Sequence, residues 1–217
     1  MAVFVKICGI TSEDDALLSV ALGADAVGFV FAPSKRLIAV DRARDIARRL
    51  PPEILTVGVF RDDLADRVSQ VVTRAGLHAA QLHGQESPEM VAEVSARVSV
   101  VIKAFPASRR AYIDRYDVDA VMIDSAEPGS GKTFDWSTLD GLPRRPPLLL
   151  AGGLHAENVG AAIARVRPWG VDVSSGVEAS PGRKDPRKLR DFIAAAKVAG
   201  NQLPDDGEHP FDWQEYQ

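Results

Sequence analysis

Two side chains that can move protons stand at the ends of short apolar segments. Cys8 ends the segment 3–8, and Asp124 ends the segment 120–124. A cysteine thiolate is a base and a protonated carboxyl is an acid, so the pair could serve general acid-base catalysis if the two segment ends meet. Each residue also has a purely structural interpretation that stays open. Cys8 could be a buried, unreactive cysteine, and Asp124 could only cap a loop.

The neighbours of Cys8 favour its thiolate form. Lys6 lies two residues earlier, and therefore on the same face of an extended strand. Gly9 allows close approach of the backbone, and Ser12 followed by Glu13 is typical of a helix start. Since a nearby cation and a helix N-terminus both lower the pKa of a thiol, the sequence predicts a reactive Cys8.

Two glycine- and serine-rich segments follow the last two apolar runs and could bind a phosphate group. Gly152 and Gly153 lie in the segment 150–154, and Ser174 and Ser175 lie in the segment 172–178. Glycines let backbone N–H groups approach an anion, and the serines supply further donors. The alternative is two ordinary turns between a strand and a helix.

Arg36 follows the second apolar run in the segment Ser34-Lys35-Arg36. A guanidinium group beyond a strand end can bind a carboxylate through two parallel hydrogen bonds. From this segment alone, a solvent-exposed arginine with no binding role is equally compatible with the sequence.

The segment 126–133 resembles a phosphate-binding P-loop, with Ala126 in place of the first glycine. A P-loop leads directly into a helix, but the segment after Thr133 is too short, and too soon interrupted by Gly and Pro, to form that helix. The sequence therefore favours a mobile loop over a nucleotide site. His78, His83, His155 and His209 show no metal-ligand spacing, so we expect no metal; His83 is interpreted as a supporting or packing residue.

Short β-rich runs alternate with segments of helical periodicity along the chain. The predicted strands are Val3–Cys8, Ala26–Phe31, Leu55–Phe60, Ala79–His83, Val100–Ala104, Ala120–Asp124, Leu148–Ala151 and Val171–Ser174. The predicted helices are Glu13–Leu22, Arg42–Leu50, Leu64–Ala75, Pro88–Arg97, Arg109–Tyr116, Glu157–Val166 and Pro186–Ala199, with a short helix within Trp136–Leu142. Eight such units predict an α/β fold, a single-domain (βα)8 TIM barrel.

In such a barrel the active site lies at the carboxyl ends of the strands. Alternation of side chains along each strand predicts which polar residues face that mouth. These residues are Lys6, Cys8, Gln81, His83, Lys103, Asp124, Asp172 and Ser174.

The composition of the 217 residues excludes several classes of protein. Residues 201–217 contain five acidic and no basic residues, so the body retains all 26 basic residues and balances them with 25 of the 30 acidic ones. We therefore expect a barrel domain at 1–200 and a loose acidic extension at 201–217. No basic stripe indicates nucleic acid, and no apolar run could span a membrane. A single cysteine favours a cytoplasmic protein.

The motifs taken together resemble the phosphoribosylanthranilate isomerase family of tryptophan biosynthesis. They are KICGIT, SKR, QLHG, MIDS, GSGKTFDW, LAGGL and DVSSGVE, in this order, and the resemblance covers residues 3–199 without a departure at these motifs. It implies a (βα)8 barrel that needs no cofactor. The expected reaction is the Amadori rearrangement of N-(5-phosphoribosyl)anthranilate, a small phosphorylated substrate, in a monomer or a homodimer.

The resemblance also implies roles for individual residues. Cys8 matches the general base and Asp124 the general acid of the family. Arg36 matches the arginine that holds the anthranilate carboxylate, and Asp172 resembles an aspartate that contacts substrate near the ribose. The residues that match the phosphate-binding loops are Gly152, Gly153, Ser174 and Ser175.

Two other functions stay open at this point. A related barrel isomerase of histidine biosynthesis acts on a similar aminoaldose phosphate, but it resembles two similar halves and has an aspartate where this chain has Cys8. A barrel that binds phosphate compounds without catalysis is the other alternative. The presence of both Cys8 and Asp124 weighs against it.

Overall fold

The computed structural model describes residues 3–125, 133–142, 145–203 and 213. Eight parallel strands pair in chain order and close into a barrel, because the last strand pairs with the first. The strands are β1 (Phe4–Cys8), β2 (Ala26–Val30), β3 (Leu55–Phe60), β4 (Ala79–Leu82), β5 (Val100–Pro106), β6 (Ala120–Asp124), β7 (Leu148–Leu150) and β8 (Gly170–Val173). The predicted (βα)8 barrel is confirmed.

Within the described ranges, six α-helices lie outside the barrel, and each follows a strand. They are α1 (Glu13–Ala21), α2 (Val40–Ala47), α3 (Ala65–Ala75), α4 (Pro88–Ser95), α5 (Ala156–Val166) and α6 (Pro186–Asn201). Three of the starts, those of α1, α4 and α6, use side-chain caps: Ser12 accepts a hydrogen bond from the Asp15 amide, Ser87 accepts one from the Met90 amide, and Asp185 accepts them from the Arg187 and Lys188 amides. Gly76 ends α3 in the left-handed conformation, as its position after Ala75 predicts.

Two of the predicted helices are short 3-10 segments instead of α-helices. Ala107–Arg115 replaces the expected α-helix at 109–116, and Arg109 within it departs from helical backbone angles. Ile113 is its one buried residue, so this segment has no apolar stripe to hold an α-helix against the barrel. Trp136–Leu139 is the second 3-10 segment, and it lies within the short helix expected there.

Apolar side chains form two layers that follow the alternation of each strand. Val57, Ile102 and Met122 belong to the inner layer, which fills the barrel, whereas Phe29 and Ile123 belong to the outer layer beneath the helices. The predicted alternation is therefore confirmed for β1, β6 and β8, where Lys6, Cys8, Asp124 and Asp172 share the inward face.

Lys103 corrects the expected set of mouth residues. Strand β5 continues to Pro106, and Lys103 has the same parity as Val101 and Phe105 of the outer layer. Its ammonium group pairs at 2.9 Å with the buried carboxylate of Glu86. Lys103 therefore stabilises the loop after β4 from outside the barrel and does not belong to the inner face.

Trp213, from the acidic extension, packs into the inner apolar cluster and is 5% exposed. Its ring lies 4.9 Å from that of His78, the residue before β4, and therefore at the amino-terminal end of the barrel. Phe4 and Trp169 stack at 4.3 Å and pack against the same cluster. The remainder of the extension beyond Leu203 lies outside the described residues, as does the expected mobile loop at 126–132.

Candidate active site

Cys8 lies at the carboxyl end of β1, where its side chain is buried inside the barrel. Lys6 is fully buried on the same face, and its Nζ donates a 2.6 Å hydrogen bond to Oδ1 of Asp172 on β8. Gly28 of β2 makes room for this arrangement, because an added Cβ there would lie 2.9 Å from Cys8 Sγ and 3.1 Å from Lys6 Nζ. Cys8 thus has a cation and a carboxylate as its closest charged neighbours.

Burial raises the pKa of the Cys8 thiol above its ordinary value of 9.0. The ammonium groups of Lys6 and Lys184 act against this rise, and the Asp172 carboxylate adds to it. The expectation that neighbours of Cys8 favour its thiolate is correct for Lys6, but burial is the larger effect. Lys6 is itself desolvated, yet its pairing with Asp172 raises its pKa, so it stays charged.

Asp124 lies at the carboxyl end of β6 and faces the same mouth as Cys8, with β7 and β8 between their strands. Its Oδ1 accepts a 2.6 Å hydrogen bond from the Ser125 amide, and its Oδ2 lies 3.3 Å from His83 Nε2. Gln81 Nε2 lies 2.9 Å from the other ring nitrogen of His83. His83 therefore lies beside Asp124, but its Nε2 has no hydrogen-bond partner among the described residues, and its supporting or packing role stays a prediction.

The loop after β7 lies directly beside Asp124. Gly152 and Gly153 have φ angles of 90° and 64°, which an L side chain rarely adopts. A Cβ at Gly152 would lie 2.6 Å from the Ser125 nitrogen and 3.0 Å from Asp124 Oδ1, so glycine is needed for this close approach.

The loop after β8 packs on the loop after β7, as a shared phosphate site requires. A Cβ at Gly176 would collide with the Leu154 carbonyl oxygen. Ser175 begins a 3-10 segment, Ser175–Val177, at the end of β8. Ser174 Oγ is buried and has no hydrogen-bond partner among the described residues. These loops therefore present backbone and hydroxyl donors at one mouth, with a hydroxyl available for a ligand.

Arg36 lies beyond the end of β2, and its side chain reaches the loop after β8. Its Nε and Nη2 donate 2.8 Å hydrogen bonds to Oε1 and Oε2 of Glu178. A Cβ on Gly9 would lie 2.5 Å from Arg36 Cδ and 3.0 Å from Ser174 Oγ. The structure therefore brings Arg36 next to Cys8 and to the loop after β8.

Three functional neighbours were missed by sequence reasoning. Gly28 carries no motif, and the buried Lys184 lies in a polar segment that resembles a surface turn. Glu178 is the last residue of the DVSSGVE motif, and this motif is the one sequence signal that could have identified it. Its contact with Arg36 could not be predicted locally, because the two residues are 142 positions apart. Among the described residues, no group of three or more His, Cys, Asp or Glu side chains could hold a metal ion.

Comparison with known proteins identifies the family. Residues 5–195 match the family model described as N-(5′-phosphoribosyl)anthranilate (PRA) isomerase. The N-(5′-phosphoribosyl)anthranilate isomerase of Desulforudis audaxviator is 48% identical over 204 residues, which is 90% of this chain and 98% of that protein. The extension from residue 201 lies outside the matched family region.

Solved structures agree with this assignment. The phosphoribosyl anthranilate isomerase of Thermotoga maritima has a TM-score of 0.82 at 45% identity, covering 90% of this chain and 99% of that one. A phosphoribosyl anthranilate isomerase in complex with reduced 1-(o-carboxyphenylamino)-1-deoxyribulose 5-phosphate has a TM-score of 0.79 at 42% identity, with the same coverage. The barrel, the positions of Cys8 and Asp124 at one mouth and these similarities agree, and the chain belongs to the N-(5′-phosphoribosyl)anthranilate isomerase family and is an isomerase of tryptophan biosynthesis.

Proposed function

We propose that this chain converts N-(5-phosphoribosyl)anthranilate into 1-(2-carboxyphenylamino)-1-deoxyribulose 5-phosphate, with Cys8 as general base and Asp124 as general acid. The observation that carries the proposal is the placement of a thiol and a carboxyl on inward positions of β1 and β6, both at the carboxyl ends of their strands. The loops with Gly152 and Ser174 occupy the same mouth. The reaction needs no cofactor, since it only moves protons and opens a ring.

The first step of the proposed mechanism is acid catalysis. Asp124 donates a proton to the furanose ring oxygen, the bond between that oxygen and C1 breaks, and the nitrogen lone pair forms a Schiff base. The Ser125 amide donates a 2.6 Å hydrogen bond to Asp124 Oδ1 and orients the carboxyl, and His83 Nε2 lies 3.3 Å from Oδ2. An acid in hydrogen-bond contact with the leaving oxygen is needed because the ring oxygen is a poor leaving group as an alkoxide.

The second step is base catalysis. The Cys8 thiolate removes the proton from C2, and the electron pair of the broken C–H bond moves towards the cationic Schiff base and gives an enolamine. The enolamine then tautomerises to the ketone of the product. Lys6 stabilises the thiolate form of Cys8, since its ammonium group lowers the pKa of a thiol that burial raises.

Anchors at both ends of the substrate hold C1 and C2 between the acid and the base. Arg36 binds the anthranilate carboxylate. Backbone N–H groups at Gly152 and Gly153 and the hydroxyl of Ser174, which has no partner among the described residues, bind the phosphate together with Ser175. We assign Asp172 a contact near the ribose, in addition to its ion pair with Lys6.

The remaining parts of the proposal concern organisation. Residues 1–200 form the catalytic domain and residues 201–217 an extension to it. The protein is cytoplasmic, which its single cysteine, Cys8, favours. Within the described part of the chain, no helix has the length and apolar character needed to cross a bilayer.

The test is turnover by the purified full-length chain. Phosphoribosylanthranilate is fluorescent, and its rearrangement removes the fluorescence, so a steady-state fluorescence assay follows the reaction directly. We expect loss of fluorescence at a rate proportional to enzyme concentration. No loss above the uncatalysed rate at micromolar enzyme would overturn the proposed function, whatever the roles of the individual residues.

A further inference from the structure

A hairpin after β8 carries two buried ionisable side chains to which the mechanism above gives no role. It consists of β9 (Glu178–Ser180) and β10 (Arg183–Lys184), and Glu178 pairs with Lys184 in the register of the two strands. The side chain of Glu178 is 5% exposed and that of Lys184 is not exposed at all. Desolvating two such groups has a cost, so their contacts need an explanation.

Glu178 fixes the orientation of Arg36. Both carboxylate oxygens accept hydrogen bonds from the guanidinium, one from Nε and one from Nη2, each at 2.8 Å. The Gly182 amide donates to Oε1 at 3.3 Å as well. A planar fork of this kind allows one orientation of the guanidinium group. It leaves Nη1 and the second N–H of Nη2 outside the pair, and this end of the guanidinium can bind a second carboxylate.

The rest of the Arg36 side chain is equally constrained. Its Cδ lies 2.5 Å from the point where a Cβ on Gly9 would be, so its aliphatic part lies against the backbone next to Cys8. Gly9 has a φ angle of 77°, a conformation that favours glycine. The carboxylate anchor is therefore held from two sides, by Glu178 at its head and by Gly9 along its stem.

Lys184 connects this anchor to the catalytic strand. Its Nζ donates to the Cys8 carbonyl oxygen at 2.6 Å and to the Ser174 carbonyl oxygen at 3.2 Å. It also lies 3.2 Å from Glu178 Oε1. One ammonium group thus joins the ends of β1 and β8 to the carboxylate that holds Arg36. Arg36, Lys184 and Glu178 together carry one net positive charge, which suits an anionic substrate.

We propose that Glu178 is a positioning residue for the substrate carboxylate: it acts through Arg36, and Lys184 keeps the two in a constant relation to Cys8. The proposal rests on the proposed function, since it assigns the carboxylate to Arg36. Glu178 itself does not touch substrate. Its loss should therefore change KM for a substrate with a carboxylate more than kcat, and only while Arg36 is present.

A double-mutant cycle in the fluorescence assay tests this role. We expect Arg36→Met and Glu178→Gln each to raise KM about tenfold, and the double variant to raise it no further than Arg36→Met alone. A merely structural Glu178 would give independent effects that multiply to about a hundredfold, and that result would overturn the proposal. Asp25→Asn is the matched control, because it breaks a 2.5 Å ion pair with Lys197 and should leave KM unchanged.

Two further measurements keep the result interpretable. Ribose 5-phosphate lacks the carboxylate, so its inhibition constant should be the same for wild type and Glu178→Gln; an equal loss of affinity would contradict the proposal. If Glu178→Gln does not fold, Arg36→Lys tests the same pair of hydrogen bonds between Arg36 and Glu178. Lysine keeps the positive charge but cannot form two parallel hydrogen bonds with a carboxylate. An unchanged KM for Arg36→Lys would also overturn the proposal. Failure of the proposed function would instead appear as an inactive wild type.

Discussion

Lys6 and Asp172 face each other on β1 and β8 and form a 2.6 Å ion pair inside the barrel, two residues before Cys8. The two members of the pair have opposite effects on the thiol: the ammonium group of Lys6 lowers the pKa of Cys8, and the carboxylate of Asp172 raises it. A buried pair of this kind can therefore adjust how readily Cys8 becomes a base.

The pH dependence of kcat/KM reports this adjustment. Burial places the pKa of Cys8 above 9.0, so kcat/KM should rise as the pH increases above neutrality. Lys6→Met should move this rise to higher pH, and Asp172→Asn should move it to lower pH. Lys197→Met, at the amino-terminal end of the barrel, is the control. Identical profiles for all four proteins would show that the pair does not act on the catalytic base.

Asp124→Asn tests the general acid. The amide keeps the shape of the side chain but has no proton to donate to the ring oxygen, so kcat should fall by about 10²–10⁴-fold. Far-UV circular dichroism should show an intact barrel. If the variant keeps normal turnover, the acid is another residue, and His83, 3.3 Å from Asp124, is the next to substitute.

Trp213 should contribute to stability without affecting catalysis. Its side chain is 5% exposed and packs into the inner cluster near His78, away from the mouth. Trp213→Ala should lower the free energy of unfolding by about 3 kcal/mol, the lower end of the range for loss of a buried tryptophan, and leave kcat unchanged. Urea denaturation measures the change. Val198→Ala, at a position 58% exposed, serves as the control and should change stability by less than about 0.5 kcal/mol.

Acid should remove the stability that Glu178 contributes. Burial raises its pKa, but the cations Arg36 and Lys184 together lower it by more than burial raises it. The pKa in the folded state therefore lies below the ordinary value of 4.5. Such a group stabilises the fold above its unfolded pKa and loses that contribution as the pH falls through the folded pKa. The stability difference between wild type and Glu178→Gln should therefore be larger at about pH 7 than at about pH 3. Equal differences at both pH values would contradict this account.

Much of the barrel could be predicted from the sequence, because alternation within the strands is a local signal. It placed Lys6, Cys8 and Asp124 on inward positions near the mouth. The same reasoning failed for Lys103, since the end of β5 was placed two residues too early and the partner that buries its charge, Glu86, comes from a different loop. At 109–116 periodicity predicted a helix, but the segment 107–115 that forms there is a 3-10 segment that buries too little apolar surface to hold an α-helix.

The site was predicted less completely than the fold, because its contacts join distant parts of the chain. Cys8, Asp124 and Arg36 could each be found from a local motif. The fork between Arg36 and Glu178 and the contact of Lys184 with the Cys8 carbonyl connect residues 142 and 176 positions apart. The local pattern offered burial of Cys8 only as the inert alternative, and burial reverses the expected direction of its pKa.

The central claim is that Cys8 is the general base, and the turnover of Cys8→Ser tests it most directly. A serine hydroxyl has nearly the same size but is a much weaker acid than a thiol, so it cannot form the required anion near neutral pH. We expect kcat to fall by about 10²–10⁴-fold, with little change in KM and an unchanged circular dichroism spectrum. A Cys8→Ser variant with turnover close to that of the wild type would contradict the account.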